Sequence, residues 1–348
     1  MPDLSGLPSI AVWGLFFAGA AAVALAGSKL AGVADRFADR AGLGEAITGG
    51  VLLGVATSLS GITASVTAAL DGLPSMAIAN AIGGIAIQSV FLAVADLFLK
   101  GKNLEHAAAS PANLTQAAVL VLMLSVVMMG VSSGGESLTL WGVHAATPAV
   151  FVAYAIGLRL TVGVRERPMW RPVKTSHTVL DEPAESHKRE SLVKLTLMLI
   201  GLGAVVTLAG IVIARSGGVM VREMGMSQSV AGGLFLAVST SLSELVTTIA
   251  AVRRGALTLA VGDIVGGNAF DVLFICVDDI AYRQGSLYAG ANSSDLFLIA
   301  MTVVINVVLM LGLLGRQRFW PAKIGWEGIV VILLYLAGFL LIANGLEG

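Results

Sequence analysis

Ten stretches of about 20 mainly apolar residues run along this 348-residue chain, each long enough to cross a bilayer as a helix. They fall at about 8–29, 44–70, 74–99, 115–134, 139–164, 191–215, 226–252, 257–282, 294–315 and 324–344. Backbone groups in lipid have no water to bond, so each run must satisfy its own hydrogen bonds as a helix. Composition agrees: 56% of residues are hydrophobic, 12% are charged, and the mean hydropathy is +0.89. A soluble domain of this size could not cover its surface with so few charges. That sets aside a cytosolic enzyme, a nucleic-acid binder and a secreted disulfide scaffold. The single cysteine, Cys276, forms no internal disulfide and no multi-cysteine metal site. The 42 glycines suit helices packed closely through small residues. The first run lacks a basic start and is too long for a signal peptide.

The basic residues orient the runs. With the N-terminus outside, Lys29, Arg36, Arg40, Lys100, Lys102, Arg253, Arg254, Arg316, Arg318 and Lys323 fall in cytoplasmic loops. The loop between the fifth and sixth runs, with its flanks, adds Arg159, Arg165, Arg167, Arg171, Lys174, Lys188, Arg189 and Lys194. Of the 21 basic residues only Arg215, Arg222 and Arg283 are left outside. The positive-inside rule therefore predicts an inner-membrane, multi-pass chain with both termini outside and the central loop in the cytoplasm. Trp320 and Trp326 fall at the inner interface and Trp141 at the outer one.

Residues 49–96 align without a gap on 232–279, at a constant offset of 183. Gly49–Gly50 meets Gly232–Gly233, and Thr57-Ser58-Leu59-Ser60 meets Thr240-Ser241-Leu242-Ser243. Gly72 meets Gly255, Gly83–Gly84 meets Gly266–Gly267, Phe91 meets Phe274, and Asp96 meets Asp279. A repeat of five helices enters the membrane upside down the second time, as in secondary transporters, whose site lies near the midplane between the copies. The expected fold is all-α and integral to the membrane, with ten transmembrane helices as two inverted five-helix repeats. The units are 1–164 and 191–348, with the most similar segments at about 44–99 and 226–282. A polar linker, 165–190, joins them; its acids, His177 and His187 read as solvated chain, not as a metal site.

Ionisable residues inside spans are costly, at least about 2.5–3.5 kcal/mol each, and mark function. Glu244 in "STSLSELVTT" and Asp263 and Asp271 in "GDIVGGNAFDVLF" lie deep in apolar runs. Carboxylates and amide oxygens at mid-membrane suit a hard cation, and neighbouring Ser and Thr can open a helical turn so that carbonyls face an ion. The alternative for Glu244 and Asp263 is a neutral, hydrogen-bonded acid; for Thr57, Ser58, Thr240 and Ser241 it is bonding back to their own helix. Asp271, two turns past Asp263, faces either the site or the helix end. Asp96, Asp278 and Asp279 sit at span ends and read as interfacial.

"TSLSEL" followed by "GDIVGGNAFDVLF" resembles the second α-repeat of the cation/calcium exchanger superfamily, approximately TSLPEL…GNxxGSNxFN. With the partner segment at 57–96, the resemblance covers essentially the whole chain. It implies a sodium/calcium exchanger-like fold and antiport of a cation by alternating access, with no catalysis and no cofactor. The partners are then the lipid bilayer and inorganic cations (Na+ or Ca2+, and H+). Its implied metal ligands are Glu244, Asp263, Asn268 and Asn80, with Thr57, Ser58, Thr240 and Ser241 from the "TS" pairs and Asp271 as an added acid. Helices 1 and 6 are implied to slide across the core.

The first repeat departs from the family. Gly61 stands where the family has Glu, Ile85 where it has the Asn of "GSN", and Ser60 and Ser243 replace its prolines. Met76 and Leu259 replace polar residues one turn before Asn80 and Asp263. Two readings follow: a lopsided Ca2+ site with Asp271 restoring charge, or a monovalent cation/H+ exchanger, the leaning here being Na+/H+. A non-transporting relative is the third. One enzyme-like string, "GVSSG" at Gly130–Gly134 with Ser132, lacks the strand–turn–helix setting that a nucleophile elbow needs.

Overall fold

The computed structural model describes residues 4, 6–41, 53–99, 103–108, 110–134, 138–173, 191–316 and 324–345. Helices follow the apolar runs, with proline confined to the first turn at Pro74, Pro111 and Pro148. In chain order they are α1 (Ser9–Ala22), continued through a π turn into α2 (Ser28–Ala41), then α3 (Leu53–Thr57), α4 (Leu59–Leu70) and α5 (Pro74–Asp96). Next come α6 (Leu104–Ala107), α7 (Pro111–Ser132), α8 (Ala146–Glu166) and α9 (Leu192–Met224). The last five are α10 (Gln228–Thr240), α11 (Leu242–Arg254), α12 (Leu257–Ala281), α13 (Ser293–Gly315) and α14 (Trp326–Ala343). A two-stranded hairpin, β1 (Thr139–Leu140) and β2 (Val143–His144), precedes α8.

Among the described residues, eight helical stretches are long and apolar enough to span a membrane, and α10 with α11 forms a ninth, bent by 43°. The second expected span is described only from residue 53, as α3 and α4. Its first part, with Gly49 and Gly50, lies outside the described residues, as do Trp320, His177, His187 and most of the linker. The fifth span begins at Ala146 instead of 139 because Trp141 and Gly142 turn the hairpin with φ of 54° and 81°, which a helix cannot absorb. The fourth begins earlier, at Pro111, where Ser110 accepts a bond from the Asn113 N–H and caps the helix.

Both repeats break a helix at the same place. Ser58 parts α3 from α4 with φ −81° and ψ 0°, and Ser241 parts α10 from α11 with φ −92° and ψ 8°. The two breaks are 183 residues apart and flank α5, the most enclosed helix: 89% of its apolar window is buried, against 67% for α12 and 22% for α8. α5 meets α10 backbone to backbone. A methyl group on Gly83 would overlap the Gly233 carbonyl, and one on Gly232 would overlap that of Met76. Gly83→Ala is therefore expected to cost about 1–3 kcal/mol, as overpacking does. Gly84→Ala would meet only the Ser241 hydroxyl at 3.7 Å and should keep the wild-type melting temperature in detergent; equal melting of the two variants would contradict this.

The ends of α5 and α12 are locked alike. Asp96 accepts the Leu104 N–H at 2.7 Å and the Gly325 N–H at 3.2 Å. Asp279, its mate at offset 183, accepts the Leu287 and His144 N–H groups, each at 2.8 Å, together with the Thr147 and Ser286 hydroxyls. Both acids lie at or near the ends of their spans, and each is 1% exposed. The following chain folds back over the helix end and needs an acceptor for its free N–H groups.

Glu105 packs against Asp96 and Glu327, and burial with these two carboxyls raises its pKa well above 4.5. The folded state then binds a proton that the unfolded chain releases, so this group's contribution to stability falls as pH rises above about 4.5. Glu105→Gln should flatten that fall; thermal unfolding across the pH range, identical in slope for both proteins, would refute it.

Candidate cation site

The two helix breaks converge on one small enclosed cavity. It is lined by Ser58, Gly61, Asn80, Ala81, Gly84, Gln88, Thr240, Ser241, Glu244, Asp271 and Phe274. Its volume is about 10 Å³, room for about one water-sized occupant.

Asp271 and its surroundings set the charge. Ser58 Oγ donates to Asp271 Oδ1 at 2.5 Å, and Gln88 Nε2 donates to Asp271 Oδ2 at 2.8 Å. The same Gln88 amide reaches Ser241 Oγ at 3.4 Å. Ser58 and Ser241 are repeat mates, as are Gln88 and Asp271, so each serine faces the other copy's residue on the central helix. An amide N–H can only donate, so Asp271 is held as the acceptor. Glu244 is 5% exposed, and the hydroxyl of Ser243 donates to its Oε2 at 2.7 Å. The second serine that replaces a family proline is also engaged: Ser60 Oγ donates to the Thr240 carbonyl at 2.9 Å.

The first repeat supplies only neutral oxygens. Asn80 Nδ2 donates to the Gly61 carbonyl at 3.1 Å and to Ser65 Oγ at 3.2 Å. Its Oδ1 is buried with no hydrogen-bond partner among the described residues, a free oxygen for an ion. Opposite Glu244's position in the repeat, Gly61 leaves space that the Phe274 ring fills: a Cβ on Gly61 would stand 2.9 Å from Phe274 Cε2.

Of the residues expected to be ligands, Glu244, Asp271, Asn80, Thr240, Ser241 and Ser58 line the cavity. Thr57, Asp263 and Asn268 do not. Asp263 lies about 12 Å along α12 from Asp271, is only partly buried and faces Asp35 of α2. Asn268 turns its Nδ2 toward the Ile85 carbonyl at 3.5 Å. Eight residues of helix separate Asp263 from Asp271, more than two turns, so one cavity this small cannot collect both. Thr57 is buried beside the break. Gln88 is the residue that motif reasoning missed; the offset of 183 pairs it with Asp271 and was the available signal. Ser132 donates to the Met128 carbonyl of its own helix at 2.8 Å, while His144 pairs with Ser133 at 3.1 Å, so no nucleophile elbow forms.

Comparison with known proteins is in line with this geometry. The family model described as sodium/calcium exchanger protein matches residues 11–156 and 193–343. An uncharacterised membrane protein of Methanocaldococcus jannaschii is 24% identical over 307 residues, spanning 87% of this chain and 88% of that one. Among solved structures, the H+/Ca2+ exchanger CAX superposes with a TM-score of 0.69 at 15% identity, covering 97% of this chain and 83% of that one. The sodium-calcium exchanger NCX_Mj superposes at 0.61 with 19% identity, covering 96% and 99%. At these identities the two structures establish the likeness of fold.

Proposed function

The chain belongs to the sodium/calcium exchanger protein family, and we propose that it is a secondary-active antiporter exchanging one monovalent cation, Na+, for H+ at Glu244 and Asp271. The observation that carries this reading is the charge census of the cavity. Both carboxylates come from the second repeat, and their mates in the first, Gly61 and Gln88, are neutral. With no third carboxylate in the lining, the charge count favours a monovalent ion over a divalent one, whose affinity follows ligand charge.

In this reading a proton on Glu244 and a cation among Glu244, Asp271 and Asn80 Oδ1 exclude one another. Desolvation favours the neutral acid when the cation is absent; the cation's charge favours the carboxylate when it is present. Ser58 and Ser241 interrupt their helices beside the ion and bring their side chains to the cavity lining. The cavity lies between two inverted five-helix repeats in an inner membrane, both termini outside and the basic loops cytoplasmic. Helices α1 and α9 slide past it to alternate access, and no cofactor takes part.

A second reading, Ca2+ against H+, is favoured by one specific feature: two carboxylates share the cavity, enough to neutralise one divalent ion. The experiment is proteoliposome flux with an enclosed pH dye, adding Na+, K+, Ca2+ and Mg2+ in turn. Proton movement driven by Na+ or K+ but not Ca2+ supports the first reading. Ca2+-driven movement replaces it with the second. Silence with all four ions contradicts both and leaves a non-transporting relative.

A further inference from the structure

Asp278 lies on α12 two turns beyond Asp271, about 10 Å along the axis and on the same face. Sequence reasoning places it at an interface; it is 0% exposed, because β2 and the turn at Ser286–Leu287 close over the end of its helix. Its neighbour Asp279 takes all four of the donors there. No well-formed hydrogen bond reaches either oxygen of Asp278 among the described residues, and the one donor facing it is the Ser65 hydroxyl, whose bond is made elsewhere. The groups facing it are Ser65 from α4, Cys276 and Asp279 on its own helix, and Tyr288 from the covering turn, none of them cationic.

Ser65 is already engaged: it donates to the Ala77 carbonyl at 2.9 Å and accepts from Asn80 Nδ2. Asn80 lines the cation cavity. An Asn80–Ser65 bridge thus joins the cavity to the hydroxyl that faces Asp278. The fold itself does not call for an acid here. The mate of Asp278 at offset 183 is Ala95, equally buried at 0%. An ionised carboxylate with no donor and no counter-charge is among the costliest groups an interior can hold.

We propose that Asp278 is a proton-binding station between the cation site and the end of the molecule opposite the basic loops. It holds one proton in the conformation described here, gives it to water when that end opens, and is recharged when Ser65 turns from Ala77, passes it the hydroxyl hydrogen and takes the proton leaving Glu244 in its place, Asn80 keeping both amide hydrogens. Each transfer moves one proton and leaves one carboxylate. The transport role rests on the antiport reading, since the proton held is the one exchanged.

The test combines flux with infrared spectroscopy. Asp278→Asn should lower Na+-driven proton flux roughly tenfold or more, leave Na+ affinity in detergent unchanged, and be rescued by Asp278→Glu. The wild-type infrared spectrum at neutral pH should contain the carbonyl stretch of an unbonded carboxylic acid, absent from Asp278→Asn. Should that variant fail to fold, Ser65→Ala keeps the carboxyl and the band while flux falls. Undiminished flux in Asp278→Asn or Ser65→Ala, or no such band, overturns the proposal. If the wild type moves no ion, the antiport reading fails, and the band alone then decides whether Asp278 holds a proton.

Discussion

Replacing Glu244 by Gln is expected to abolish cation-driven proton movement at working ion concentrations. The amide keeps the shape and the bond to Ser243 but can carry neither a negative charge nor the exchanged proton. Removing one member of a buried charge pairing costs about 3 kcal/mol or more, roughly a hundredfold in cation affinity. The measurement is Na+ titration of proton flux in liposomes, with Ser132→Ala as a control that should match the wild type, since Ser132 is exposed and bonded to its own helix. Glu244→Gln flux within a few-fold of the wild type would remove Glu244 from the mechanism.

The second large effect concerns the missing acid of the first repeat. Gly61→Glu alone is expected to destabilise the protein and silence transport, because its Cβ would press on Phe274 at 2.9 Å. Combined with Phe274→Ala, which clears that space, the same substitution places a third carboxylate at the cavity. The double variant should bind Ca2+ at least roughly tenfold more tightly than the wild type, since charge count tunes Ca2+ affinity. Calorimetric titration with Ca2+ reads this directly. A double variant no better than wild type would mean that the cavity's shape, and not its charge, sets ion preference.

Much of this architecture is legible in sequence because lipid leaves the backbone few options. The runs later seen as α5, α12, α13 and α14 are given nearly to their ends by hydropathy alone. The offset of 183 relates the two helix breaks, the two end clamps and the Ser58–Asp271 and Ser241–Gln88 contacts, in which each serine meets the other copy's residue. Glu244 and Asn80, singled out by motif, line the cavity because each sits one turn from a break or a glycine crossing. Asp263 and Asn268 stand outside the cavity lining, because a one-dimensional pattern does not say which side of α12 faces it. The Phe274 ring against Gly61 and the orphaned carboxyl of Asp278 were not legible, since both depend on how separate segments close over one another.

The central claim is that proton and cation compete for one pair of carboxylates. Proton release on cation binding tests it most directly: detergent-solubilised protein in weakly buffered solution is titrated with Na+ and, separately, Ca2+ while pH is recorded. The account predicts release of about one proton per Na+ bound near neutral pH, lost in Glu244→Gln, because a ligand carboxyl must be deprotonated to bind. Cation binding with no proton release, or release unchanged in Glu244→Gln, would contradict it.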